Sequence, residues 1–405
     1  MTQAQPTAEG RGAGTAGTSP TIQLALATVG FAINFWAWAL ISPLGQAYGV
    51  EYGLSAVEQS VLVAVPVIVG SVGRIPVGAL TDRLGARVMF PLLSSLTILP
   101  VLFVGLVADS YVALLVGGFL LGLGGTTFAV GVPFVNAWFP PERRGTALGI
   151  FGVGMGGTAV SSFTTVPLAD AFGRWAPFVL VAVILAAFAV ASWFLLRDAP
   201  GRAAGSAGGM WARTWSILKI PATLQLSWLY AVGFGGFVAF SVYLPTFLAN
   251  AYDLEAADAA ARTAGFVVLA VVMRPVGGVL SDRLGPVNVS LWCFAVVTLL
   301  AAVVAFQPGL VPVGTIAFLG LAAALGASSG ATFALVAKVA PRDKVGAVTG
   351  VVGAAGGLGG FVPPLVMGAV YQFEGDYGIG FALLAATGLA TLLFTLGPVR
   401  RGAQG

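Results

Sequence analysis

Along the chain, apolar stretches alternate with short turns rich in Gly, Pro and charge; they fall at roughly 21–47, 57–80, 88–107, 112–138, 146–172, 176–196, 223–249, 262–281, 287–306, 312–339, 346–372 and 378–397. Each is close to or beyond the ~20 residues that a helix needs to cross a bilayer, so the pattern predicts twelve spanning helices. The longest polar interval, 197–220 (RDAPGRAAGSAGGMWARTWSILKI), divides them six and six, and its Gly/Ala-rich start reads as a linker. The opening residues, MTQAQPTAEGRGAGTAGTSP, hold too few bulky apolar side chains to pack a core. They also lack an apolar run directly behind a basic start, which leaves the first helix as the membrane signal. The expected organisation is a disordered tail (1–20), a six-helix bundle (21–196), a linker (197–220), a second bundle (221–399) and a short tail (400–405).

The two halves repeat in detail. GRIPVGALTDRLG at 73–85 recurs as MRPVGGVLSDRLG at 273–285, which sets Arg74 against Arg274, Gly78 against Gly278, Asp82 against Asp282 and Arg83 against Arg283. In the fifth and eleventh helices Gly145, Gly149, Gly152 and Gly156 answer Gly346, Gly350, Gly353 and Gly357. Parallel repeats of this kind resemble the two halves of a major facilitator transporter, whose substrate site lies between them near mid-membrane. The fold class expected is an all-α membrane protein of two pseudo-symmetric six-helix bundles.

Composition agrees: 58% of residues are hydrophobic, 8% are charged and the mean hydropathy is +0.96, far from a soluble domain at about 25% charged. No length remains for a catalytic domain outside the bilayer. The single cysteine, Cys293, has no partner for a disulfide or a thiolate metal site, and histidine is absent. No catalytic residue, metal, cofactor or nucleic-acid partner is expected, and the protein is expected to be a monomer in the lipid bilayer. Of the 19 basic residues, fifteen fall on the side that carries the termini, whereas Arg174 and Arg262 fall on the other and Arg74 and Arg274 inside helices. The positive-inside rule therefore places both termini in the cytoplasm of a multi-pass inner-membrane (cell-membrane) protein.

The two intramembrane arginines carry the chemistry. A cation at that depth costs from about 2.5 to roughly 17 kcal/mol, so it needs a cavity and a partner. All fifteen acids lie in the tail, in loops or at helix ends. The missing negative charge is therefore assigned to substrate, with carbonyls and water as the alternative partners. Bare glycine stripes let helices approach closely, and beside the arginine helices they suit a very small cavity. Gly78 to Arg87 reads G-x3-D-R-x-G-x-R and resembles the major facilitator loop signature after the second helix. Asp82, Arg83 and Arg87, with Asp282 and Arg283 in the second copy, are candidate gating residues whose ion pairs tether helix ends and break when the halves rock.

The paired arginines and the stretches GTALGIFGVGMGG and GAVTGVVGAAGGLGG resemble those of the NarK-type nitrate/nitrite porters, and the likeness extends over TFAVGVPFVNAWFPPERRG and LYAVGFGGFVAFS. The resemblance implies secondary transport of nitrate and nitrite, with the arginines gripping the anion and aromatic rings sandwiching its plane. By matching position those rings are Phe35, Phe128, Tyr230 and Phe234, beside Gly152, Gly156, Gly353 and Gly357. The family often has an asparagine where this chain has Gly156, so a hydrogen-bond donor is missing there or replaced by Asn34 or Thr127. Nitrate/nitrite exchange is the expected cycle. Proton-linked nitrate uptake and transport of small organic anions such as formate or oxalate are the alternatives, and a binding protein that does not turn over is a rival of another class.

Overall fold

The computed structural model describes residues 19–200, 215, 217–339 and 345–404. Most of the expected tail 1–20, most of the linker 197–220 and the loop after Val339 lie outside these residues. Twelve helices long and apolar enough to span a membrane occur among the described residues: α1 (Pro20–Glu51), α2 (Ala56–Leu84), α3 (Ala86–Leu106), α4 (Tyr111–Trp138), α5 (Thr146–Phe172), α6 (Ala176–Leu195), α7 (Pro221–Tyr252), α8 (Ala256–Leu284), α9 (Pro286–Ala305), α10 (Leu310–Val336), α11 (Val348–Glu374) and α12 (Gly378–Gly402).

Local chemistry fixes several ends. Helix α2 opens on a reciprocal capping box, in which Ser55 Oγ accepts from the Glu58 N–H and the Glu58 carboxylate accepts from the Ser55 N–H. Both copies of the D-R-L-G segment end on a glycine with positive φ, 85° at Gly85 and 83° at Gly285, a conformation a side chain would strain. The chain reverses there into α3 and α9. The free N–H groups at the start of α3 are held from a distance: Asp198, just beyond α6, accepts from Ala86 at 2.9 Å and Arg87 at 3.3 Å.

The twelve expected spans are present, and several of them are interrupted. Helix α1 breaks before a short 3-10 turn at Ser42–Leu44, α2 at Gly73, α4 at Thr126, and α5 tightens into a 3-10 turn over Val153–Gly156. Helix α11 breaks at Gly360–Phe361, whereas α7 and α8 run unbroken. Hydropathy does not register such breaks, because the residues concerned stay apolar or small and their φ/ψ remain close to helical.

Small residues set the packing within each half. A Cβ at Gly122 would lie 2.6 Å from the Pro66 carbonyl, and one at Gly125 2.9 Å from the Gly70 Cα, so α4 lies backbone-to-backbone on α2. The same device recurs where a Cβ at Gly277 would fall on the Ala327 carbonyl and one at Gly330 on that of Arg274, joining α8 to α10. These contacts hold the two arginine helices close to their neighbours.

Between the halves, the closest seal lies at the end remote from the termini. Ser42 donates to the Val242 carbonyl at 2.6 Å, and the Val57 N–H to Gln372 Oε1 at 3.2 Å. A continuous chain runs from Gln59 to Gln46 (3.1 Å), on to Asn250, then to Tyr377 (3.0 Å) and Tyr243 (3.3 Å). All its members are neutral. Contact thins along α11 toward the terminal end: a Cβ at Gly357 would fall on Ser71, one at Gly353 would lie 3.3 Å from Phe128, and one at Gly350 would meet nothing within 4 Å.

Candidate functional site

Arg74 follows directly on the break in α2, and Arg274 sits inside the unbroken α8; each is only 7% exposed. Each guanidinium reaches across to the opposite half. Arg74 Nη1 donates to the Gly353 carbonyl on α11 at 2.7 Å, while its Nε lies 3.4 Å from the Gly125 carbonyl. Arg274 Nη1 donates to Met155 Sδ on α5 at 2.8 Å, and Nη2 to the Tyr230 hydroxyl at 3.0 Å. Among the described residues neither arginine meets a carboxylate. The two cations expected at the remote face are paired instead: Arg174 bonds Glu51, and Arg262 bonds Asp258 at 3.0 Å.

Aromatic faces supply most of the remaining surroundings. The Phe234 ring is shared, with Arg74 Cζ 5.8 Å and Arg274 Cζ 5.6 Å from its centroid. Phe128 lies 5.1 Å from Arg74, and Phe333 and Tyr230 lie 5.3 and 5.9 Å from Arg274. Tyr230 and Phe234 stack at 4.8 Å with 1° between planes, and Phe333 meets Tyr230 edge-on at 4.8 Å. Each such contact offsets part of the cost of burying a cation without a counter-ion.

Of the candidates, the structure brings together Arg74, Arg274, Phe128, Tyr230, Phe234, Gly152 and Gly353; a Cβ at Gly152 would lie 3.6 Å from Arg274 Nε. Gly156 borders open space, with nothing within 4 Å of its Cβ direction, and Gly357 faces Ser71 rather than an arginine. Phe35 stands one ring back, packed on Phe31 (4.4 Å) and Trp38 (5.1 Å), and it is Phe31 that reaches Phe128 at 5.8 Å. The idea that Asn34 or Thr127 replaces the family asparagine is corrected by their bonding. The Asn34 amide donates to the Gly30 carbonyl (2.8 Å) and Ser94 (2.9 Å), and the Thr127 hydroxyl to the Gly124 carbonyl (2.7 Å). The gating candidates Asp82, Arg83, Arg87, Asp282 and Arg283 stand exposed at helix ends, and a Cβ at Gly78 would meet nothing within 4 Å.

Two residues of the cluster escape a reading of the sequence alone. Met155 lies inside a glycine stretch that reads as packing. Phe333 had a signal: Thr332-Phe333-Ala334 repeats Thr127-Phe128-Ala129, so the internal duplication marks both rings.

Helical pairs, internal duplication and a polar site between halves define a membrane transporter rather than an enzyme. The Major Facilitator Superfamily model matches residues 27–364 and, in a second overlapping match, 253–404; the chain belongs to that superfamily. Within it, the chain belongs to the nitrate/nitrite porter family. It is 48% identical over 375 residues to the probable nitrate/nitrite transporter NarK2 of Mycobacterium tuberculosis (strain ATCC 25618 / H37Rv), covering 92% of this chain and 95% of that one. It is 37% identical to the nitrite extrusion protein of Bacillus subtilis (strain 168), over 93% of each chain. Among solved structures, a bacterial homologue of the human lysosomal transporter Spinster, in an inward-facing and unoccupied conformation, aligns over 93% of this chain and 95% of that one, with a TM-score of 0.66 at 19% identity. That likeness is one of fold.

Proposed function

We propose that this protein carries nitrate and nitrite across the cell membrane by alternating access, with the anion held between Arg74 and Arg274. The observation that carries the reading is a pair of buried guanidiniums that share the Phe234 ring and meet no carboxylate among the described residues. The relatives named for nitrate and nitrite support the choice of anion. Substrate enters by displacing the Gly353 carbonyl from Arg74 and the Met155 thioether from Arg274. Both are bonds across the halves, so loading the site and moving the halves are coupled. An anion there also screens the repulsion between the two cations.

In this reading the bundles 21–196 and 221–399 rock as units in a monomer with cytoplasmic termini, and Asp82, Arg83, Arg87, Asp282 and Arg283 re-pair at the cytoplasmic helix ends. Exchange is the basic cycle. Proton-coupled carriers hold a titratable group within the bundle, whereas the acids of this chain sit at helix ends, in loops or in the tail and histidine is absent. Nitrate, the anion of a strong acid, does not carry the proton itself. Proteoliposomes loaded with nitrite take up labelled nitrate without a pH gradient, and unloaded ones take up little. Robust uptake into unloaded vesicles that follows an imposed proton gradient overturns exchange in favour of proton symport.

A further inference from the structure

We propose that this site selects its anion by weak hydration rather than by planar shape, an inference that rests on the nitrate/nitrite reading and extends it to a wider class of weakly hydrated anions. The argument starts from what an entering anion regains after shedding water. The groups that can donate to it are the two guanidiniums, the Tyr230 hydroxyl, whose oxygen already accepts from Arg274, and the Ser71 hydroxyl, buried one turn before Arg74 and facing Gly357. The other hydroxyls nearby are spent on their own helices: Thr126 on the Leu123 carbonyl (2.6 Å), Thr127 on that of Gly124, Thr158 on that of Met155 (3.0 Å), Ser328 on that of Leu325 (2.9 Å) and Thr332 on that of Ser328 (2.9 Å). The Asn34 amide is spent as well.

Apart from the backbone at Gly152 and Gly353, what remains of the wall is carbon and sulfur: the rings of Phe128, Phe234 and Phe333 and the Met155 thioether. Guanidinium is itself a weakly hydrated cation, and ring edges offer only partial positive charge. A strongly hydrated anion such as formate or bicarbonate therefore loses more to dehydration than the wall returns, flat though it is. Iodide, thiocyanate and perchlorate, which are not planar triangles, lose little. Met155 reinforces the bias, because a thioether is a weak acceptor and even a weakly basic anion displaces it from Arg274 Nη1.

The test is displacement of labelled nitrate from the purified full-length protein in detergent by a panel of anions. Thiocyanate, iodide and perchlorate are expected to displace nitrate at concentrations at least about tenfold below those of formate and bicarbonate, a gap of about 1.4 kcal/mol. Formate and bicarbonate displacing as well as thiocyanate overturns the proposal and restores shape as the criterion. Met155→Gln, similar in length but carrying an amide donor, is expected to shrink the gap between thiocyanate and formate several-fold; an unchanged gap overturns the assigned role of the dry wall. Failure of the underlying reading looks different. A protein that binds no labelled nitrate, yet binds labelled thiocyanate with formate as a poor competitor, rejects nitrate as substrate while keeping the selection rule.

Discussion

Arg274→Lys and Arg74→Lys are each expected to lower nitrate uptake into proteoliposomes by about a hundredfold, with the protein still inserted and monodisperse. Both substitutions keep the positive charge, so a purely Coulombic site would tolerate them. The fork is what they remove. Arg274 holds Met155 Sδ with one terminal nitrogen and the Tyr230 hydroxyl with the other, while its plane stays within cation–π reach of Tyr230, Phe234 and Phe333. An ammonium is a compact, strongly hydrated point donor on a flexible stem and reproduces neither the spread nor the stacking. Arg74 is committed in the same way, to the Gly353 carbonyl and the faces of Phe128 and Phe234. Uptake by Arg274→Lys at close to the wild-type rate would sink the two-arginine clamp.

The second large effect is expected from Gly357→Leu, which should reduce uptake by more than about tenfold, since overpacking a tight contact costs about 1–3 kcal/mol. Gly357 meets α2 at Ser71, where even a single carbon would collide with the hydroxyl. A leucine there holds the halves apart at the level where they now touch, and the carrier loses the conformer described above. Gly353→Leu acts by a milder route, since its first added carbon lies 3.3 Å from the Phe128 ring, which must shift from beneath Arg74. Normal uptake by Gly357→Leu would reduce the glycine stripe of α11 to incidental composition.

The fold was legible in the sequence because its strongest determinant, long apolar runs, is local. The internal repeat then supplied what hydropathy cannot, the pairing of Arg74 with Arg274 at equivalent depth. What stayed hidden depends on tertiary packing. The breaks at Gly73 and Thr126 leave no hydropathy signature, and the choice between Phe31 and Phe35 turns on which face of α1 meets α4. Asn34 and Thr127 looked available because composition shows donors but not their partners, which here are carbonyls on the same helices and Ser94. Phe333 was within reach, since the T-F-A repeat is as plain as the arginine repeat once the halves are aligned.

The seal between Gln59, Gln46, Asn250, Tyr377 and Tyr243 has an electrical consequence. A charged latch that opens carries charge through the membrane field, at about 2.3 kcal/mol per elementary charge per 100 mV. Amides and phenols carry none, and the nearby cations Arg174 and Arg262 are already neutralised by Glu51 and Asp258. Breaking this chain of hydrogen bonds therefore moves no latch charge through the field. The work of the membrane potential on the cycle is then expected to fall on Arg74, Arg274 and any anion bound between them, and on the charged residues Asp82, Arg83, Arg87, Asp282 and Arg283 at the other helix ends.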